Sequence, residues 1–109
     1  MINDVSHAAW ELVLHAKNDR GCCRAWLEPA WRNLERKIRK ETFSYELAIR
    51  LLKDYTLTNV AKDHHREHGS MADAWHQIFP PSVRQEAAEI LLDEFLNELR
   101  AGNSWIDTD

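Results

Sequence analysis

Residues 44–69 read Ser44-YELAIRLLKDYTLTNVAKDHHREH-Gly69, and this stretch decides the fold class. Ser44 is a good N-cap, Glu46 suits the positive end of the helix dipole, and Gly69 suits a left-handed stop. The stretch therefore predicts one helix over about 45–68. Its apolar residues fall on two sides. Leu47, Ala48, Leu51, Leu52 and Tyr55 share one face, and Ile49, Leu57 and Val60 share another. A helix apolar on two sides must be covered on two sides, so it is expected at the centre of a small helical domain.

The flanking sequence supplies the cover. Residues 5–18 predict a helix capped by Asn3 or Asp4, with Val5, Ala8, Ala9, Leu12, Val13 and Ala16 on one face and Trp10 and Leu14 on another. Residues 22–28 are ambiguous between a turn and a short helix. Pro29 suits the first position of an amphipathic helix over 29–40, with Leu27, Ala30, Trp31, Leu34 and Ile38 inward. Ser70 to Asp73 resembles a capping box opening a short helix that ends near Ile78, where Pro80-Pro81 stop it. A second capping box at Ser82 to Gln85 opens the last helix, 83–100, whose buried stripe is Ala87, Ala88, Leu91, Leu92, Phe95 and Leu99. Gly102 ends it, and a polar tail runs over 103–109. The reading is an all-α chain: one compact bundle of four longer helices and one short helix, with residues 1–102 as a single domain.

Composition agrees. The chain has 109 residues, 44% of them hydrophobic and 29% charged, with three Gly and three Pro. That is globular material with little to build turns from. The net charge of −4 argues against a general nucleic-acid binder. Residues 1–50 hold nine Lys/Arg and seven Asp/Glu, whereas residues 51–109 hold five and eleven. Adjacent Cys22 and Cys23 do not form a disulfide framework. The N-terminal residues lack the charge and apolar run of a signal peptide, and no apolar run has the length of a membrane span. A cytoplasmic location is the expectation.

Chemistry can sit in three places. His64 and His68 are four apart and share a helix face, the spacing with which two imidazoles hold one metal ion. With Glu67 they also spell the H-x-x-E-H pattern of inverted zinc proteases. A third ligand would have to come from His76, His15 or His7, and nothing in the sequence places these nearby. The plain alternative is a helix C-terminus lined with groups that favour its negative dipole end. The second place is a basic face, Arg32, Arg36, Lys37, Arg39 and Lys40, which can meet phosphates or simply face solvent with Glu35 and Glu41 partly neutralising it. The third is an acidic face, Glu86, Glu89 and Asp93, with Glu94 and Glu98 beside it. Ile90 lies among these acids and Trp105 lies in the tail. A row of carboxylates with apolar anchors suits a basic groove on another protein. Trp10, Trp26, Trp31 and Trp75 fit core positions, whereas Trp105 either folds back or waits for a partner. Arg20 and Arg24 can lower the thiol pKa of Cys22 and Cys23, though packed and inert thiols are the ordinary state. No phosphate loop or dinucleotide fingerprint is present, and no cofactor is expected.

Two segments, FSYELAIRLLKDY (Phe43–Tyr55) and FPPSVRQEAAEILLDEF (Phe79–Phe95), resemble parts of small helical proteins carried by phages and prophages. The resemblance covers under a third of the chain and carries no catalytic residues. It implies an accessory protein, of the class that includes anti-CRISPR proteins, working by covering a surface. The expectation is a non-enzymatic, protein-binding inhibitor or modulator of a nucleic-acid-handling host complex. Glu86, Glu89, Ile90, Asp93 and Trp105 would be the contact residues, and a homodimer would be one way to cover outer apolar residues. The alternative is a small metal-binding or nucleic-acid-acting protein using His64, Glu67 and His68.

Overall fold

The computed structural model describes residues 6–68 and 74–106. Their regular structure is helical throughout. α1 spans His7–Asn18. α2 covers residues 20–39, as α-helical Arg20–Cys22, a π-helical segment Cys23–Leu27 and α-helical Glu28–Arg39. α3 covers residues 45–68, with Tyr45–Leu51, a π-helical segment Leu52–Thr56 and Leu57–His68. The short α4 is Trp75–Ile78, and α5 is Pro81–Arg100. α1 packs against α5 and the second half of α3, and α3 packs along α5. This is the expected bundle of four longer helices and one short one, with 45–68 as a single element. The caps read at Gly69 and over Ser70 to Asp73 lie outside the described residues, as do Val5, Asn3, Asp4 and the last three residues of the tail.

The two-sided apolar pattern of α3 has a different cause from the expected one. Leu57 donates its N–H to the Leu52 carbonyl, a five-residue step. A π-turn holds one residue more than an α-turn, and each residue otherwise advances the face by about 100°. The extra residue turns the second half of the helix back toward the first. Ala48, Ile49 and Leu52 before the π-turn, and Leu57, Val60 and Ala61 after it, all become buried in one core. Leu47 and Tyr55 are left exposed at 58% and 57%. Covering on two sides is therefore not what α3 obtains.

α2 uses the same device. Glu28 donates its N–H to Cys23, which places Cys22 and Leu27 on the side that buries Ala30, Trp31 and Leu34. The ambiguity over 22–28 resolves here: the helix begins at Arg20, and Pro29 lies inside it. A proline lacks the N–H for the ladder and crowds the carbonyl four residues back. The wider π-turn just before it accommodates both.

The ends depart from the sequence reading in small ways. Ser6, in extended conformation, caps α1 by accepting the Ala9 N–H at 3.1 Å. α5 starts at Pro81, two residues early, and Val83 and Arg84 donate to the Pro80 carbonyl in place of a Ser82 cap. Its far end follows expectation. Gly102 takes φ +96°, with its N–H on Leu99 and that of Asn103 on Glu98, the Schellman pattern. α2 closes identically, with Glu41 at φ 60° and bonds from Glu41 to Ile38 and Thr42 to Lys37. Trp10, read as core, is exposed; Trp31 is buried, and Trp26 and Trp75 are half-buried.

Candidate functional site

The acidic face of α5 is largely engaged within the molecule. Glu86 accepts the Ser6 N–H at 3.2 Å and the Ser6 hydroxyl at 2.9 Å, tying α5 to the start of α1. Lys17 reaches Glu94 at 2.7 Å. Asp93 accepts the Tyr45 hydroxyl at 3.3 Å, and Glu89 accepts from Gln85 at 3.2 Å. Ile90 is half-buried against the core and so is not the outward anchor its spacing suggested. Trp105 folds back: its ring lies 5.1 Å from Phe95 and 6.3 Å from Trp31, which itself stacks on Phe95 at 4.6 Å. Glu89 and Asp93 stay exposed.

Glu35 is what holds Trp105 there, a role that its place among the charges of α2 does not mark. Read as a surface neutraliser, it is in fact buried at 3% exposure. Its carboxylate accepts the Ser104 hydroxyl at 2.6 Å, the Trp105 N–H at 2.8 Å and the Arg39 guanidinium at 2.9 Å. Burial pushes this carboxyl up, but the bonds from Ser104, Trp105 and Arg39 outweigh it and hold the group below its ordinary value. The remainder of the basic face lies outward as expected: Arg36, Lys37 and Lys40 are exposed, and half-buried Arg32 pairs with Glu28 at 3.5 Å.

Beside that basic face runs a groove of mixed polar and apolar lining between α2 and α3. One cleft of about 260 Å³ is lined by Leu34, Lys37, Thr42, Leu47 and Ala48; a second of about 170 Å³ is lined by Ala25, Trp26, Pro29, Tyr55 and Thr56. Both include Asn33 and Leu51, so they run together. Leu47, Leu51 and Tyr55, spaced by four, form its ridge. The Trp26 and Tyr55 rings meet edge to face at 5.9 Å where the two π-turns come together. At the floor, the Thr56 hydroxyl is buried without a hydrogen-bond partner among the described residues.

The histidines gather on the opposite side. Of the three proposed third ligands, the structure brings in His15. Its Nε2 lies 2.9 Å from Asp63 Oδ2, and its ring centroid lies 5.0 Å from that of His64 and 5.9 Å from that of His68. His7 is on the surface beside Glu11, and His76 packs edge-on against Trp75. His64 and His68 are neighbours at 5.1 Å, as their spacing requires. His64, however, turns Nε2 toward Glu11 at 3.4 Å, and its Nδ1 is buried without a partner among the described residues. Burial, then His15 and His68, push the His64 imidazole below its ordinary value, and Glu11 opposes them. Asp63 is pushed up by burial, yet the His15 hydrogen bond and the Arg66 charge bring it below its ordinary value. Together, Glu11, Leu14, His15, His64 and His68 line an open cleft of about 400 Å³.

Neither cysteine is an activated thiol. Burial, with Asp63 and Asp19 nearby, pushes Cys22 up to about 12. Half-buried Cys23 is raised by burial and Glu28, and Arg24 only partly offsets this. Among the described residues no helix is long and apolar enough to cross a membrane. Comparison with protein-family models, with curated proteins and with solved structures finds no match.

Proposed function

We propose that this chain is a non-enzymatic protein-binding module, an inhibitor or modulator, whose contact surface is the α2–α3 groove and the basic face beside it. One observation carries the reading: Leu47 and Tyr55 stand 58% and 57% exposed on a single ridge over a continuous groove between α2 and α3. Large apolar side chains grouped on one face mark contact sites more often than scattered ones do. Paired π-turns beneath the ridge add to this, since such turns recur at functional sites. The engagement of Glu86, Ile90 and Trp105 within the fold moves the preferred surface away from α5, leaving Glu89 and Asp93 as a secondary patch. The phage-protein resemblance of residues 43–55, which span the start of the ridge, favours a nucleic-acid-handling host complex as the partner class.

The test is affinity capture from host lysate with quantitative mass spectrometry, using untreated chain, Leu47→Glu, Tyr55→Glu and the double variant Glu89→Lys/Asp93→Lys, each checked for helicity. Both groove variants should lose the captured partner, and the α5 variant should keep it. Capture that survives both groove variants, or that is lost only on α5 charge reversal, refutes the groove.

A further inference from the structure

We infer that His15 from α1, together with Glu67 and His68 from the last turn of α3, binds one divalent transition-metal ion, with Asp63 supporting His15. This site is on the other side of α3 from the groove and does not depend on the reading of that surface.

The donor atoms of His15, Glu67 and His68 all lie within 4.8 Å of one another. A second set, His15, Asp19, Asp63 and Glu67, meets the same limit and shares His15 and Glu67. A third set, His15, Cys22 and Asp63, shares His15 and Asp63 with the second, so the three describe one locus, reached by two imidazoles, three carboxylates and the Cys22 thiol. The sequence alone paired His64 with His68. In the fold His64 is turned toward Glu11 and falls outside all three donor sets, and His15, 48 residues earlier than Asp63, takes its place.

The site divides into a fixed part and an adjustable part. The His15 side chain is only 7% exposed and its Nε2 is held by Asp63 at 2.9 Å, so Nδ1 is the nitrogen that would meet the ion. A carboxylate on a ligating histidine orients the ring and raises its basicity. Glu67 and His68 are 42% and 59% exposed, so their rotamers can close on an ion. With metal–ligand bonds of about 2.1 Å, tetrahedral donors sit about 3.4 Å apart. The closure needed, from separations of at most 4.8 Å, is the rotation of two surface side chains. Arg66 already pairs with Asp63, which leaves Asp63 as the support and Glu67 as the carboxylate donor. Asp19 caps α2 through the Cys22 N–H at 2.9 Å and adds negative charge near the ion.

Two imidazole nitrogens and one carboxylate oxygen select a borderline cation. Zn²⁺, Co²⁺, Ni²⁺, Mn²⁺ and Fe²⁺ suit this set, and the oxygen-seeking Mg²⁺ and Ca²⁺ do not. His15 and His68 also line the open cleft beside Leu14 and His64.

The experiment is titration of the untagged, chelator-treated chain with Zn²⁺ by calorimetry and with Co²⁺ by visible absorption. One equivalent should bind, and Co²⁺ should give the ligand-field bands of a nitrogen/oxygen site. Loss of a ligand should weaken Zn²⁺ at least about tenfold, so His68→Ala and Glu67→Gln should each do so. Both residues are exposed, and neither change should impair folding. His7→Ala and His76→Ala should leave affinity unaltered, as should Leu47→Glu, which separates this site from the groove. His15→Gln should abolish binding; if that variant does not fold, the two surface variants decide. Absence of stoichiometric Zn²⁺ or Co²⁺ binding, or binding that survives both His68→Ala and Glu67→Gln, overturns the assignment.

Discussion

Replacing Glu35 by Gln tests the attachment of the C-terminal segment with little change of shape. The carboxylate accepts three donors, two of them from residues 104 and 105. A hydrogen bond to a charged group contributes about 1.5–3 kcal/mol and a neutral one about 0.5–1.5. Losing the charge therefore costs about 1 kcal/mol on each of the Ser104 and Trp105 bonds. Arg39 is 48% exposed, so its pair adds at most about 1 kcal/mol. The total is about 2–3 kcal/mol at pH 7, read by urea unfolding followed by far-UV circular dichroism. The pH dependence has a definite sign. Glu35 lies below its ordinary value of 4.5 in the fold, so its stabilisation is complete above the unfolded pKa and is lost as pH falls through the folded one. Wild type and Glu35→Gln should thus converge on acidification below about pH 4.5. A difference under about 0.5 kcal/mol at pH 7, or one unchanged down to pH 3, would falsify the role given to this carboxylate.

Two further perturbations address the backbone. Glu41 sits at φ 60° with a side chain, where an L-residue other than glycine is strained by about 1 kcal/mol, so Glu41→Gly should raise the urea midpoint by up to that amount; a lowered midpoint would contradict it. Deleting exposed Asp54 removes the extra residue of the α3 π-turn and leaves Ala48, Ile49 and Leu52 in phase with Leu57, Val60 and Ala61 on one unbroken α-helical stripe, so the variant should keep cooperative thermal unfolding; a deletion variant that loses it would refute the π-turn account.

These positions also mark where sequence reasoning was sufficient and where it stopped. The inward faces of α1 and α5 follow from spacing alone: Ala9, Leu12, Val13 and Ala16, and Ala87, Ala88, Leu91, Leu92 and Phe95, are all buried. An uninterrupted α-helix has one period, and its stripe can be counted off the residues. In α2 the inward face Leu27, Ala30, Trp31, Leu34 and Ile38 was also counted correctly and only the start of the helix was open, whereas in α3 the count failed midway, because a π-turn shifts the phase by one residue and leaves no compositional mark. That shift turned the two predicted faces of α3 into one core and an exposed ridge. The candidate sites were affected in the same way. His64 and His68 are neighbours by helical geometry, which is local. The arrival of His15 depends on how α1 crosses the end of α3, which is not.

What the chain determines by itself is therefore the local level: helix identity, the Gly102 stop, the inward stripes of unbroken helices, and the gathering of His64, Glu67 and His68 on one turn. These rest on interactions within a few residues, where backbone geometry is nearly fixed. The tertiary structure decided the rest. It buried Glu35 beneath residues 104 and 105, engaged Glu86 on Ser6, folded Trp105 onto Trp31 and Phe95, and brought His15 to Glu67 and His68. Apart from the contact of Trp105 with Phe95, each of these joins residues far apart in the chain, and a charged side chain reads the same in sequence whether it will face water or a partner across the core. Packing makes that distinction, because a carboxylate can leave water only where donors from another element are already in place.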